Sequence, residues 1–205
     1  MNPVRKALAI AFLFLASSGI AVVLFLTFQG NRAQVEFATI LPAPAALPDF
    51  AMVDHTGQPF GKDQLLGNWS VIFFGFTHCP DICPATLQQL AIARSRVIEA
   101  GGEFPRIILI SVDPERDTPS AMAAYVGNFG DDIVGVSGNP DELVKLTKTI
   151  GIFFAKSGDL DGNYSVDHSA AVLVINENAE WHSLFSAPHN IDSFVHDLPI
   201  LTGQN

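Results

Sequence analysis

The eight residues Trp69–Phe76, WSVIFFGF, are apolar or aromatic at almost every position. Successive side chains of a strand point to opposite faces, so a run without alternation must be covered on both. The run therefore predicts a buried strand, and the residues that follow repeat the theme. After THCPDICP comes ATLQQLAIARSRVIEAGG, where Leu87, Leu90, Ala91, Val97 and Ile98 recur at helical spacing and Gly101-Gly102 ends the run. RIILISV (Arg106–Val112) reads as a strand and DPERDTP as a loop. SAMAAYVGNF reads as a helix with Thr118 as its cap and Pro119 in its first turn. DIVGVSG is a short strand. Asn139-Pro140-Asp141-Glu142 then opens a helix closing near Gly151, its acids early and Lys145 and Lys148 late, as the dipole favours. SAAVLVI and EWHSLF flank NENA as a hairpin, and Ile191, Phe194, Val195 and Leu198 line one face of a last helix. This succession predicts an α/β domain, a central mixed sheet flanked by helices.

Arg5 and Lys6 precede 22 residues without a charge, Ala7–Phe28. A helix needs about 20 such residues to cross a bilayer, whereas the apolar core of a cleaved signal is shorter. ASS at Ala16–Ser18 imitates a cleavage site, but the apolar run continues to Phe28. The expected organisation is a cytoplasmic stub at 1–6, a retained transmembrane anchor at 7–28, a flexible Pro/Ala-rich tether at 29–47 and one domain at 48–205. The two positive charges place the N-terminus in the cytoplasm and the domain outside. Beyond the anchor, 9 basic residues face 21 acidic ones. That balance disfavours nucleic acid and anionic lipid and favours basic partners, although ordinary solubility accounts for it equally well.

Cys79 and Cys83 are the chain's two cysteines. They can be a redox pair, a metal site or a structural staple. As a staple they would close a five-residue loop and constrain the unfolded chain very little. Between a strand and a helix, free amide N–H groups and the positive dipole end stabilise thiolate. This loop and Asp113–Thr118 both follow strands, so both belong at the carboxyl edge of the sheet, where working residues collect. Two thiolates are half a site for copper(I) or zinc, and imidazole suits both metals. Of the six histidines, His55 falls in a turn and is expected in solvent. His182 belongs to the hairpin and His196 to the last helix, while His189 is a loop residue with no evident partner. His78 adjoins Cys79, but successive side chains diverge. His168, in VDHSAAVLVI, stands immediately before a buried strand.

Three blocks, GFTHCPDICP, VDPERDTP and DHSAAVLVI, occur in this order behind one N-terminal anchor. Together they resemble the Sco/SenC copper proteins over about residues 45–202. The resemblance implies a thioredoxin-like, membrane-tethered protein that helps build the dinuclear copper centre of cytochrome c oxidase subunit II. It puts the copper ligands on Cys79, Cys83 and His168, with the family's aspartate near the site at Asp113. Copper(I) suits two thiolates and one imidazole, and copper(II) would take a further oxygen or water ligand. Zinc would want four ligands. Copper would arrive from an upstream carrier, and a thiol reductant would keep the pair open. The implied location is a bacterial inner membrane, with the domain in the periplasm.

The alternative is a thiol–disulfide oxidoreductase that uses Cys79 and Cys83 on the cysteines of the same oxidase subunit and does not need His168. Two features argue against it. The cysteines have one residue more between them than Cys-x-x-Cys. DHS stands where thioredoxin-like reductases resemble one another in carrying a proline. A peroxiredoxin-like reading of FTHC lacks an identifiable activating arginine, and a purely structural domain is the bland case. GDLDGNY (Gly158–Tyr164) lacks the later ligands of a calcium loop and is expected to be a hairpin turn, part of a flap carrying His168 toward the cysteines. Arg116 and Asp117 either brace their loop or, through Arg116, touch a partner. Phe73–Phe76 are expected to shield the thiols.

Overall fold

The computed structural model describes residues 34–159 and 163–203. Their strands are β1 (Thr39–Ala46), β2 (Ala51–Asp54), β3 (Pro59–Gly61), β4 (Ser70–Gly75), β5 (Arg106–Ser111), β6 (Val134–Gly138), β7 (Phe154–Asp159), β8 (Asn163–His168), β9 (Val172–Ile175) and β10 (Glu180–Phe185). Their helices are α1 (Ile82–Glu99), α2 (Pro119–Val126), α3 (Pro140–Thr149) and α4 (Ile191–Leu201). One mixed sheet runs β1-β10-β9-β4-β5-β6-β2-β3, and β7-β8 form a separate two-stranded sheet.

Every residue of β4 and β9 is buried, and every residue of β5 after its first. Since alternate side chains face opposite ways, both faces of the sheet centre are covered, as the unalternating sequence runs require. The cap read at Thr118 forms, and Asn139 caps the next helix in the same way. Thr118 Oγ1 accepts the Ala121 N–H at 3.2 Å, and Asn139 Oδ1 accepts the Asp141 N–H at 2.7 Å. Helix α4 packs on α1, and α2 packs on β6.

Strands β4 and β5 run parallel, with Gly75 level with Ser111, and the Val112 N–H donates to the Gly75 carbonyl just beyond. The two loops expected at the carboxyl edge therefore leave the sheet side by side. Buried Asp117 ties them together. Its carboxylate accepts the Ser111 hydroxyl at 2.6 Å from β5 and the Thr77 N–H at 3.1 Å from the β4–α1 loop. Asp117 is a brace.

The tether reading of 29–47 needs correction, because Thr39–Ala46 is the edge strand β1, antiparallel to β10. Pro42 and Pro44 lie where its register shifts, between Ile40 and Ala45. An edge strand pairs on one side, so a proline can turn its missing donor outward. Asp197 on α4 anchors the approach to this strand. Its buried carboxylate accepts the backbone N–H groups of Glu36 (3.0 Å), Phe37 (2.7 Å) and Ala38 (2.7 Å), and His196 Nδ1 donates to it at 2.7 Å. The stub and the expected anchor at Ala7–Phe28 lie outside the described residues. Among those described, no helix is long and apolar enough to cross a membrane.

Candidate metal centre

Cys79, Cys83 and His168 converge on the carboxyl edge of the sheet. One donor atom from each, two sulfurs and an imidazole nitrogen, lies within 4.8 Å of the other two. Among the described residues this is the one cluster of three or more histidine, cysteine or carboxylate donors so arranged. Cys83 belongs to the first turn of α1 and is fully buried, whereas Cys79 lies three residues before that helix and is half-buried. Both are free thiols.

The start of α1 explains the state of Cys79. Asp81 occupies the cap position, yet its side chain accepts no capping hydrogen bond. The sulfur of Cys79 takes that place and accepts the backbone N–H groups of Asp81 and Cys83. Its largest stabiliser is the Cys83 thiol donating to it. Burial opposes ionisation, and the hydrogen bond with His168 favours it, as do the two amides. Together they bring the Cys79 thiol down to about 4. Cys83 moves the other way, because it holds the proton shared with Cys79 and is deeper in the protein. The pair thus carries one negative charge, centred on the more exposed sulfur.

His168 ends β8. Its Nε2 lies 3.5 Å from the Cys83 sulfur, and its Nδ1 lies 3.0 Å from the Ser169 carbonyl. A carbonyl only accepts, so Nδ1 carries a hydrogen and Nε2 is the ring nitrogen turned toward the sulfurs. The rings of Phe73 and Phe76 meet the imidazole edge to face at 5.9 and 6.0 Å. These aromatics wall the site from below, as the apolar run suggested. Gly75 admits Cys83 at close range, since a Cβ there would stand 2.9 Å from the sulfur.

Asp113 is buried nearby but is not one of the clustered donors. Its carboxylate pairs with Arg116 and accepts the Tyr164 hydroxyl at 2.7 Å. Arg116 in turn donates to the Tyr164 carbonyl at 3.0 Å. The contacts made by Arg116 are thus the bracing kind. GDLDGNY runs from the end of β7 into β8, a paired hairpin, and its residues 160–162 lie outside the described residues.

The other histidines are elsewhere. His78 is exposed beside the cysteines, its Nδ1 near the Thr77 hydroxyl. His55 is half-buried rather than solvated, because the DHTG turn folds back and Nδ1 accepts the Gly135 N–H at 3.1 Å. His189 donates from Nε2 to the Ala170 carbonyl, and His182 stacks edge-on against Trp69. Sequence reasoning missed the part played by Tyr164, which the spacing from His168 could have signalled: residues 164, 166 and 168 of one strand share a face.

Comparison with known proteins places this geometry in context. The family model described as SCO1/SenC matches residues 38–202. The SCO2-like protein of Rickettsia conorii is 35% identical over 155 residues, which are 72% of this chain and 74% of that protein. The crystal structure of Arabidopsis thaliana ScoI with copper bound superimposes with a TM-score of 0.72 at 31% identity, covering 78% of this chain and 100% of that one. Bradyrhizobium japonicum ScoI, also with copper bound, gives a TM-score of 0.66 at 33% identity over 75% of this chain and 98% of that one.

Proposed function

The chain belongs to the SCO1/SenC family, and from that premise we propose that it is a membrane-anchored copper-binding protein that assembles the dinuclear copper centre of cytochrome c oxidase. The observation that carries this reading is the convergence of two sulfurs and one imidazole nitrogen within 4.8 Å. Copper is the cargo. Cys79, Cys83 and His168 hold it as copper(I) in a three-donor setting, and copper(II) takes a further oxygen ligand. The donors fit a soft ion, since one sulfur is already ionised and Nε2 is the ring nitrogen turned toward the sulfurs. Zinc would lack its fourth ligand in this donor group.

A carrier must also release its ion. Half-exposed Cys79 is where an incoming ligand from oxidase subunit II enters, while buried Cys83 keeps its hold until last. The anchor at Ala7–Phe28 fixes the domain on the periplasmic side of a bacterial inner membrane. An upstream carrier supplies copper there and a thiol reductant keeps the cysteines open.

One observation favours a second reading as thiol–disulfide oxidoreductase: a half-exposed thiolate backed by a buried thiol. In that reaction the Cys79 thiolate attacks a client disulfide and expels one client thiolate. Cys83, losing its proton, then attacks the Cys79 sulfur and releases the second, so two electrons pass to the client. Anaerobic copper(I) competition on the reduced full-length protein, beside His168→Ala, separates the two. Tight one-to-one binding that collapses in the variant supports the carrier. Weak binding, or binding indifferent to His168, supports the reductase.

A further inference from the structure

The third ligand is carried by a hairpin outside the main sheet. Hairpin β7–β8 pairs with no strand of the main sheet, and a two-stranded hairpin alone is at best marginally stable. Contacts with the body of the domain must hold its His168 end against the cysteines, among them the rings of Phe73 and Phe76. Tyr164, Val166 and His168 alternate onto one face of β8. Val166 is buried, and Tyr164 and His168 reach the body of the domain from either side of it. Tyr164 donates its hydroxyl to Asp113 at 2.7 Å, Arg116 pairs with that same carboxylate, and Arg116 Nη1 donates to the Tyr164 carbonyl. The guanidinium carbon of Arg116 lies 3.7 Å from the centre of the Tyr164 ring, so a charged plane is stacked on an aromatic face. Lys156 Nζ, 4.7 Å from the centre of the same ring, pairs with Glu115 at 2.6 Å, again joining the hairpin to the β5–α2 loop. The loop itself cannot drift, because Asp117 ties it to the loop of the cysteines.

We infer that Asp113, Arg116 and Tyr164 form a latch that positions His168 over the two sulfurs, so that this triad sets how well the third ligand engages copper without touching the metal. The inference rests on the copper reading above and assigns Asp113 a task other than ligation. The latch meets His168 through its own strand, β8, and meets the cysteines only indirectly, through the Asp117 brace and the Arg116–Phe76 contact. Cys83 is carried by α1 and Cys79 by the loop between β4 and α1. Groups that orient a metal ligand change affinity about tenfold to a hundredfold when altered.

The test is a double-mutant cycle on copper(I) affinity of the reduced full-length protein. Tyr164→Phe removes one hydroxyl and keeps the ring. Arg116→Gln removes the charge and serves as the harsher variant. Each is measured in the native background and with His168→Ala. The expected result is a loss of about tenfold to a hundredfold in the native background and less than about twofold once His168 is gone. Equal losses in both backgrounds, or no loss with His168 present, overturn the latch. Metal-free protein supplies an arm that does not depend on the copper reading. There, Tyr164→Phe is expected to shift the His168 ring signals in NMR and to speed amide exchange along β7 and β8. Unchanged ring signals and exchange overturn the latch, whereas a failure of the native protein to hold copper overturns the carrier reading instead.

Discussion

The Cys83 sulfur and His168 Nε2 lie 3.5 Å apart across 85 residues of sequence, one on the helix after β4 and the other at the end of a hairpin outside the main sheet. Neither residue can hold a metal from its own element alone, and the fold brings them together only at this edge. The relationship makes thiol oxidation a switch. A Cys79–Cys83 disulfide would spend both thiolates and leave the imidazole as the sole donor of the three. Mild oxidation of the pair is expected to abolish tight copper(I) binding, and dithiothreitol to restore it, with two thiols recovered by titration. Tight binding by the oxidised form would remove the sulfurs from the site.

Cys79 and Cys83 should also differ sharply toward alkylating agents. Cys79 is half-exposed with its thiol lowered to about 4, whereas Cys83 is buried and pushed upward. Below its pKa a thiol loses reactive thiolate about tenfold for each pH unit, so an ordinary cysteine slows steadily from pH 8 to pH 6. Cys79 remains thiolate throughout that window. In the reduced, metal-free protein, iodoacetamide is expected to label Cys79 first, at a rate nearly flat from pH 6 to pH 8. Cys83→Ser replaces the strongest donor to its sulfur and should steepen the profile. Peptide mapping by mass spectrometry reads both outcomes, and first labelling of Cys83 would contradict the assignment.

Gly75 is a steric requirement of the site. A Cβ there would stand 2.9 Å from the Cys83 sulfur, 3.0 Å from Phe73 and 3.2 Å from Leu109, all in a packed interior. Gly75→Ala must therefore displace the sulfur or the strand. Such overpacking costs about 1–3 kcal/mol, and here part of the strain falls on one of the three clustered donor atoms. Urea unfolding should show that loss, and copper(I) affinity should fall with it. Native stability and affinity together would mean that the sulfur has room to move.

Much of this was legible from residue order because it is local. WSVIFFGF and RIILISV had to be buried strands, Thr118 had to cap, and a cysteine pair between strand and helix had to sit at the sheet's edge. What escaped depends on distant partners. LPAPAALP looks like a tether until β10 is there to pair with Thr39–Ala46. Tyr164 looks like the end of a turn until Asp113, 51 residues away, receives its hydroxyl. Asp197 reads as an ordinary helical acid, although its acceptors' partners lie about 160 residues earlier. Long-range hydrogen bonds of this kind leave no period or spacing in the sequence.

That last carboxylate sets a pH dependence of stability. Burial disfavours the ionised form of Asp197, but the Glu36 amide, His196 and the amides of Ala38 and Phe37 outweigh it, so its pKa is lowered from 3.8. A carboxyl depressed on folding contributes stability that is complete above its unfolded-state value and fades as pH falls through the lower folded value. Asp197→Asn keeps one acceptor oxygen and loses the charge, at a cost of about 1–3 kcal/mol near neutral pH. Wild type and variant should therefore differ most above pH 5 and converge as the pH drops below about 4. Urea unfolding from pH 7 to pH 3 measures the difference, and amide exchange at Glu36–Ala38 locates it. The donors immediately precede β1, so releasing them would free the chain that leads into that strand. A constant gap between the two proteins across that range would show that charge on Asp197 does not hold the segment.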